Sequence, residues 1–260
     1  MDNVNKTLYI PLYGKAYVSH RGIILKDEKA EEIWAAEGFP LRGKAASKWL
    51  AYYMGMRAAV FDRWAEKTAA EMPEATVLHL GCGMDSRVLR VNAGDRLWYD
   101  ADFPQVIEER KRYYGQTDTY RMAAADLRES TWLEQIPGQE AVVILEGVSM
   151  YLQREELRAL LRSLTARFSK CRILMDVYTE FAARASKYKN PINEVGVTQV
   201  YGLDDPLELT EDTGMTYLGE HTMTPENLIS QLTKGEQVIF RKLYAGQVAR
   251  KLYRLHEYGK

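Results

Sequence analysis

Residues 77–90, VLHLGCGMDSRVLR, end a short apolar run on two glycines and continue with helical spacing. This pattern is typical of a buried β-strand that turns sharply into a helix, because glycine tolerates backbone conformations that other residues avoid. A phosphate-binding loop, a nucleotide pocket and a plain tight turn all fit it. A dinucleotide fingerprint needs a third glycine where Ser86 stands, and a P-loop needs a Gly-Lys pair, so the stretch disfavours a nicotinamide-dependent oxidoreductase.

The bulk properties indicate one large α/β domain. The chain has 260 residues, 46% of them hydrophobic, and a net charge of −1, so nothing points to nucleic acid or a membrane surface as partner. Neither a signal peptide nor a membrane-spanning run is recognised. Cys82 and Cys171 lie far apart, as in a reduced, cytoplasmic protein, and the scattered histidines predict no metal site.

Strands alternate with helices through the middle of the chain, which predicts a mostly parallel sheet with helices on both faces. The predicted strands are 76–80, 96–101, 139–147 and 171–177, with helices at 104–114, 131–136 and 153–168. We predict a single domain, 1–260, in four parts: a helical cap (1–70), a cofactor-binding core (71–178), an insertion (179–214) and C-terminal strands and helices (215–260).

The insertion at 179–214 is long, polar and interrupted by Asn-Pro and Asp-Pro pairs. A segment of this length between core elements is usually a lid or a substrate-binding insertion. Tyr178, Tyr188 and Tyr201 give it aromatic surface to lie over a flat acceptor. Aromatic residues also gather at subunit interfaces, so a homodimer contact is the alternative.

Acidic residues follow three further predicted strands, and open α/β sheets bind ligands at the carboxyl ends of their strands. Asp100 and Asp102 stand where an acid can accept hydrogen bonds from a ribose, although either could cap the next helix. Asp126 could bind an exocyclic amine or cap a helix, and taken alone the cap is the more common role. Glu146 precedes a glycine, where a carboxylate is costly to bury without a partner.

Taken together, the Gly-x-Gly turn and the acids at three further strand ends fit an adenosine. The glycines would lie against its sugar and tail, one acid on the ribose and one on the base. A row of carboxylates would repel a polyphosphate, whereas a nucleoside that carries a cation suits this edge. The pattern therefore favours S-adenosylmethionine, whose sulfonium lies beside its ribose.

Four motifs carry a family resemblance: VLHLGCGMDSRVLR, WYDADFP, AAADLRE and LEGVSMYLQREEL. They resemble the LGxGxDxR, xVDxP, DL and EGxxxYL pattern of the leucine carboxyl methyltransferase family, and more narrowly its bacterial branch of tetracenomycin-type polyketide O-methyltransferases. The match spans residues 77–161 and continues weakly upstream. The resemblance implies a Rossmann-like class I S-adenosylmethionine-dependent methyltransferase with an N-terminal helical cap and a lid insertion after the fifth strand.

The resemblance also implies roles for the residues that match the core motifs. Gly81 matches the contact to the methionine portion of the cofactor, and Gly83 of the same Gly-x-Gly turn is predicted to bind the cofactor with it. Asp102, rather than Asp100, matches the acid that binds the ribose. Asp126 and Leu127 match the contacts to adenine.

The methionine end of the cofactor is assigned in the same way. Glu146 matches the acid near the methionine amino group, and Arg57 matches the arginine that clamps the cofactor carboxylate. Lys15 matches a second contact to that carboxylate. His79 departs from the family, which often has an amide at this position.

The reaction that the resemblance implies is transfer of a methyl group from the sulfonium to a substrate oxygen. A small-molecule carboxylate is already ionised at neutral pH, so it needs no general base, and no catalytic residue is assigned. A phenolic or enolic hydroxyl is the first alternative, in which His221 or a tyrosine of 178–201 could take the proton. On the sequence alone, His221 fits a surface strand better. A catalytically silent S-adenosylmethionine-binding protein is the second alternative.

Overall fold

The computed structural model describes residues 8–41, 43–186 and 199–260, and within them seven strands form one sheet in the order β3-β2-β1-β4-β5-β7-β6. The strands are β1 (Ala75–Leu80), β2 (Trp98–Asp102), β3 (Tyr120–Ala124), β4 (Glu140–Leu145), β5 (Lys170–Tyr178), β6 (Thr216–His221) and β7 (Tyr253–Gly259). The pairs formed by β1 to β5 are parallel, and β7 runs antiparallel to both β5 and β6. The predicted mostly parallel sheet is present.

The α-helices of the described residues begin with the three that form the cap. They are α1 (Tyr9–His20), α2 (Glu28–Glu37), α3 (Lys48–Glu71), α4 (Arg87–Arg90), α5 (Pro104–Arg110), α6 (Arg154–Arg167), α7 (Glu180–Ser186), α8 (Glu226–Ile229), α9 (Lys234–Tyr244) and α10 (Gly246–Arg250). The helix predicted at 131–136 is a short 3-10 helix, Thr131–Gln135, as is common for a single-turn connector.

The first and third helices of the cap pack unusually closely. A Cβ added to Gly14 would lie 2.6 Å from the Cβ of Met54, and one added to Gly55 would lie 2.7 Å from a methyl of Val18. The two glycines therefore let the backbones of α1 and α3 approach one another. This packing brings α1 and α3 together over the carboxyl ends of the strands, where both helices contribute residues to the same cavity.

The insertion predicted at 179–214 falls partly outside the described residues, since 187–198, with Tyr188, are among those not described. In the described part, Tyr201 donates its amide to the carbonyl of Met150 at 2.8 Å, and Leu203 donates to the carbonyl of Tyr178 at 2.8 Å. These bonds attach the second part of the insertion to the loop after β4 and to the end of β5. Its role as a lid, and the alternative of a dimer contact, stay predictions.

Two features are absent from the described residues. No described helix combines the length and the apolar character that crossing a membrane requires. No group of three or more His, Cys, Asp or Glu side chains among the same residues could hold a metal ion.

Candidate active site

A cavity of about 500 Å³ opens at the carboxyl ends of the parallel strands, beneath the cap helices. Its lining comes from the turn after β1, the ends of β2, β3 and β4, and from α1 and α3. All eight residues predicted to bind the cofactor border it: Lys15, Arg57, Gly81, Gly83, Asp102, Asp126, Leu127 and Glu146. Their roles in binding stay predictions, but the fold brings the whole set to one place.

The turn after β1 requires glycine at its first position. Gly81 has φ +67, and a Cβ there would lie 2.2 Å from a methyl of Val148. Its amide donates to the carbonyl of Ala101 at 2.7 Å, which ties the turn to β2. Gly83 also has positive φ, +51, and its amide donates to the carboxylate of Asp102 at 2.8 Å. The turn therefore orders the acid at the end of the neighbouring strand.

Asp100 and Asp102 lie on the same face of β2 but at different depths, because residues two apart on a strand point the same way. Asp102 borders the cavity and accepts hydrogen bonds from the amides of Gly83 and Phe103, both at 2.8 Å. Burial raises the pKa of Asp102, although these amide bonds and the positive charge of Arg110 oppose the shift. A carboxylate so placed can accept further hydrogen bonds from a ligand.

Asp100 is fully buried one step deeper and does not border the cavity. It forms an ion pair with Arg110 and accepts hydrogen bonds from Trp98 Nε1 at 2.8 Å and from the Tyr120 hydroxyl at 2.7 Å. Burial alone would raise the pKa of Asp100, but Arg110 and His79 outweigh it and hold the pKa below its usual value. Asp100 therefore bonds to interior side chains and not to a ligand in the cavity.

At the end of β3, Asp126 caps a turn rather than a helix. Its carboxylate accepts from the amide of Arg128 at 3.0 Å and forms an ion pair with the Arg128 side chain. The hydrogen bond from that side chain, helped by the amide, lowers the pKa of Asp126. Leu127 is buried beside it and borders the same cavity.

A buried ion-pair network surrounds Glu146. Arg57 Nε lies 3.0 Å from Glu146 Oε1, and Arg87 pairs with the other oxygen. Burial would raise the pKa of Glu146, but the charges of Arg87, Arg57 and Lys15 reverse the effect and lower it. Arg57 also pairs with Asp176 at 2.9 Å, and the pKa of this second carboxyl is raised by burial in spite of Arg57. Glu146 is thus held as an anion at the cavity.

Lys15 of the cap forms an ion pair with Asp85 at the same edge of the sheet, with its Nζ 3.1 Å from Asp85 Oδ2. Arg90 and Arg87 also lie within 4 Å of Asp85, at 2.9 Å and 3.4 Å. Burial would raise the pKa of Asp85, yet Arg90, Lys15 and Arg87 hold it well below its usual value. Asp85 and Arg87 lie in the MDSR stretch of the first motif, residues 84–87, but no role is predicted for them from the sequence. Asp176 and Tyr253 lie outside all four motifs.

The two histidines considered from sequence are both held by other side chains, and only His79 borders the cavity. His79 Nε2 lies 3.1 Å from Arg87 Nη1. A guanidinium only donates, so this nitrogen accepts and the ring proton is on Nδ1, which lies 3.3 Å from Asp100. His221 lies on the edge strand β6, with Nε2 2.6 Å from Glu257, and does not border the cavity. This placement agrees with the surface-strand interpretation of His221.

Two chemically different groups of residues line the cavity. We call the strand-end residues 81–85, 102 and 146 the polar edge. Facing the same space is a set that we call the apolar wall, formed by Ile10, Pro11, Leu50, Met54 and Met150. Tyr178 and Tyr253 also border the cavity, with their rings edge to face at 4.8 Å. The cavity therefore offers a ligand both charged groups and apolar surface.

Comparison with known proteins agrees with this geometry. Residues 9–165, more than half of the chain, match the model of the leucine carboxyl methyltransferase family. The chain is 32% identical to the tetracenomycin polyketide synthesis O-methyltransferase of Streptomyces glaucescens, over 80% of this chain and 78% of that protein. It is 30% identical to an S-adenosyl-L-methionine-dependent methyltransferase of Gibberella zeae, over 84% and 81%.

Solved structures confirm the Rossmann-like methyltransferase fold. Magnesium protoporphyrin IX methyltransferase from Synechocystis, solved with bound S-adenosylhomocysteine, aligns with a TM-score of 0.52 at 13% identity, over 90% of this chain and 93% of that one. A putative sarcosine dimethylglycine methyltransferase from Galdieria sulphuraria aligns with a TM-score of 0.51 at 12% identity, over 90% and 98%. With the family match and the two relatives, the chain belongs to the leucine carboxyl methyltransferase family and is an S-adenosylmethionine-dependent O-methyltransferase.

Proposed function

We propose that this enzyme methylates a carboxylate of a small molecule. The observation that carries the proposal is the state of three groups at the cavity that could otherwise take a proton. His79 is held between Arg87 and Asp100, and Glu146 lies between two arginines. Burial raises the pKa of Tyr253 well above its ordinary value. A carboxylate is ionised at neutral pH without help, so it is the acceptor that such a cavity suits.

The residues of the polar edge, with Arg57 and Lys15 of the cap helices, would hold the cofactor. The carboxylate of Asp102 would accept from the ribose hydroxyls, and Glu146 would bind the methionine ammonium. Arg57 and Lys15 would bind its carboxylate, with Arg57 offering the planar donor geometry that carboxylates prefer. The cofactor itself supplies the electrophilic methyl group on its sulfonium.

The apolar wall would hold the body of the acceptor. Ile10, Leu50 and Met54 come from the cap helices, and Met150 from the loop after β4. Such a surface excludes water and binds an aromatic or aliphatic framework by burial of apolar area. A relative that is named for tetracenomycin polyketide synthesis supports a polyketide as the source of that framework. Catalysis would then come from alignment of the carboxylate with the methyl group and from exclusion of water.

Two matched acceptors test the proposal. We would incubate the enzyme with methyl-labelled S-adenosylmethionine and either naphthoic acid or naphthol, and treat the products with alkali. We expect label on the acid, released by alkali as methanol because methyl esters hydrolyse and aryl ethers do not. Label on naphthol that resists alkali would instead support the hydroxyl alternative. Transfer to neither compound would count against a naphthalene framework in the acceptor.

The pH dependence gives a second readout. A carboxylate acceptor stays ionised from about pH 6 to about pH 9, so the saturated rate should be nearly flat over that range. A phenol has a pKa of about 10, so its rate without a base should rise about tenfold per pH unit. A steep rise with the acid acceptor would count against the proposed mechanism.

A further inference from the structure

The guanidinium of Arg57 is held on two of its three nitrogens. Nε donates to Glu146 at 3.0 Å, and Nη1 donates to Asp176 and to the hydroxyl of Tyr253, both at 2.9 Å. No acceptor among the described residues is hydrogen-bonded to Nη2. This nitrogen lies 3.4 Å from the position that a Cβ on Gly147 would take, and Arg57 borders the cavity. Nη2 is therefore the nitrogen of the guanidinium that can donate to a ligand.

Asp176 is built into the sheet behind this guanidinium. It is fully buried near the end of β5 and does not border the cavity. One oxygen accepts from the amide of Gly147 at 2.7 Å, and the other accepts from Arg57 and from the Tyr253 hydroxyl. Its position is thus fixed by the loop after β4, and it can in turn fix Arg57.

Tyr253 begins β7, and the antiparallel register places it opposite Tyr178 and diagonal to Asp176. Its ring lies edge to face with Tyr178, while its hydroxyl accepts from Arg57 and donates to Asp176. Tyr253 and Asp176 both lie outside residues 9–165, the part that matches the family model. They therefore reach the cofactor side of the molecule through the sheet and not through the four sequence motifs.

We propose that Asp176 and Tyr253 are positioning residues that orient Arg57 so that Nη2 meets the carboxylate of the cofactor. A long arginine side chain anchored only at Glu146 keeps freedom at its end, and ordering it on binding would cost free energy. Anchoring a second nitrogen fixes the plane of the fork in advance, so less of the binding energy is lost. The inference rests on the Arg57 role given above, and it does not depend on whether the acceptor is a carboxylate.

Two ligands that differ only at the amino-acid end separate positioning from general structure. S-adenosylhomocysteine carries the carboxylate and the ammonium, whereas methylthioadenosine lacks both and keeps the nucleoside. We would measure the dissociation constants of both by calorimetry for Asp176→Asn and Tyr253→Phe. Tyr258→Phe is the matched control, because it removes a buried hydroxyl from the same strand that donates instead to the carbonyl of Pro206 at 3.0 Å.

We expect Asp176→Asn to weaken S-adenosylhomocysteine about tenfold and Tyr253→Phe about threefold, with methylthioadenosine unchanged in both. The control should change neither ligand. Equal weakening of both ligands, or unchanged S-adenosylhomocysteine affinity, would overturn the inference. If Asp176→Asn does not fold, Tyr253→Phe decides, because it keeps the ring and its packing against Tyr178. The two proposals can fail separately. If Tyr253→Phe weakens S-adenosylhomocysteine but not methylthioadenosine, while the wild-type enzyme does not methylate naphthoic acid, the positioning role stands and only the proposed acceptor is refuted.

Discussion

The polar edge and the apolar wall of the cavity differ in what they offer a ligand. The polar edge consists of charged side chains and backbone amides that are held by hydrogen bonds and ion pairs, whereas the side chains of the apolar wall form no directional bonds with a ligand. At the polar edge, Asp102, Glu146 and Asp85 each have defined partners at 2.8–3.1 Å. Along the apolar wall, Leu50 and Met54 offer only aliphatic surface. Directional bonds fix one ligand in one orientation, and apolar contact tolerates many shapes. We expect cofactor binding to be exacting and acceptor binding to be adaptable.

The largest effect should follow removal of Arg57, the cap-helix charge that pairs with Glu146 of the polar edge. Arg57→Met leaves Glu146 and Asp176 as buried carboxylates without their shared partner. Breaking a buried ion pair in this way costs about 3–5 kcal/mol. Urea unfolding should show a loss of that size in the free energy of unfolding.

The control for Arg57→Met is Arg241→Met, which removes an exposed ion pair with Glu226 on the surface. Exposed pairs contribute about 0–1 kcal/mol. Similar losses in the two variants would show that the buried network does not stabilise the fold as its geometry indicates.

The two aspartates of β2 should give the next largest effects, and of different kinds. Asp100→Asn leaves Arg110 buried without its anion, so we expect a loss of about 3 kcal/mol in stability and little change in cofactor affinity of the folded protein. Asp102→Asn should weaken S-adenosylhomocysteine by about 1.5–3 kcal/mol, on the order of 10- to 100-fold, with little loss of stability. Unfolding and calorimetry on both variants would check the pair, and an exchange of the two phenotypes would refute the ribose assignment.

The sequence was informative about the polar edge because its residues follow consecutive strands, and parallel strands end at one edge of the sheet. That rule places Gly81, Asp102, Asp126 and Glu146 together without knowledge of any contact. It does not distinguish the depth of Asp100 from that of Asp102, for which the resemblance was needed. Their different partners become visible only once Arg110 and Tyr120 are placed beside the deeper acid.

The sequence could not predict the apolar wall or the pair of residues that holds Arg57, Asp176 and Tyr253. Pro11, Leu50 and Met150 lie far apart in the chain and meet only after α1 and α3 pack over the sheet. Asp176 and Tyr253 meet through the antiparallel pairing of β5 and β7, and an isolated sequence does not reveal which strands will be neighbours. Long-range packing, rather than local pattern, decides these contacts.

A smaller effect should appear in the pH dependence of cofactor binding. Burial raises the pKa of Asp102, and only the ionised form offers both oxygens to a ribose. Binding of S-adenosylhomocysteine therefore favours loss of this proton, and affinity should fall as the pH drops through the raised pKa, by up to about tenfold per unit. Titration of Asp102→Asn is the control, since it should lack this slope; equal slopes in both proteins would assign the proton to another group.

The smallest effect should come from a substitution in the apolar wall. This substitution tests whether the acceptor and the cofactor bind to independent parts of the cavity. Leu50→Ala removes aliphatic surface from a partly exposed position on α3 that borders the cavity. Loss of part of a leucine contact is worth about 1 kcal/mol, so the KM for naphthoic acid should rise about fivefold. The dissociation constant of S-adenosylhomocysteine should not change, because no bond of the polar edge involves this side chain. Weakening of both ligands to the same degree would mean that the cap helices shift as a unit and that the two parts of the cavity are not independent.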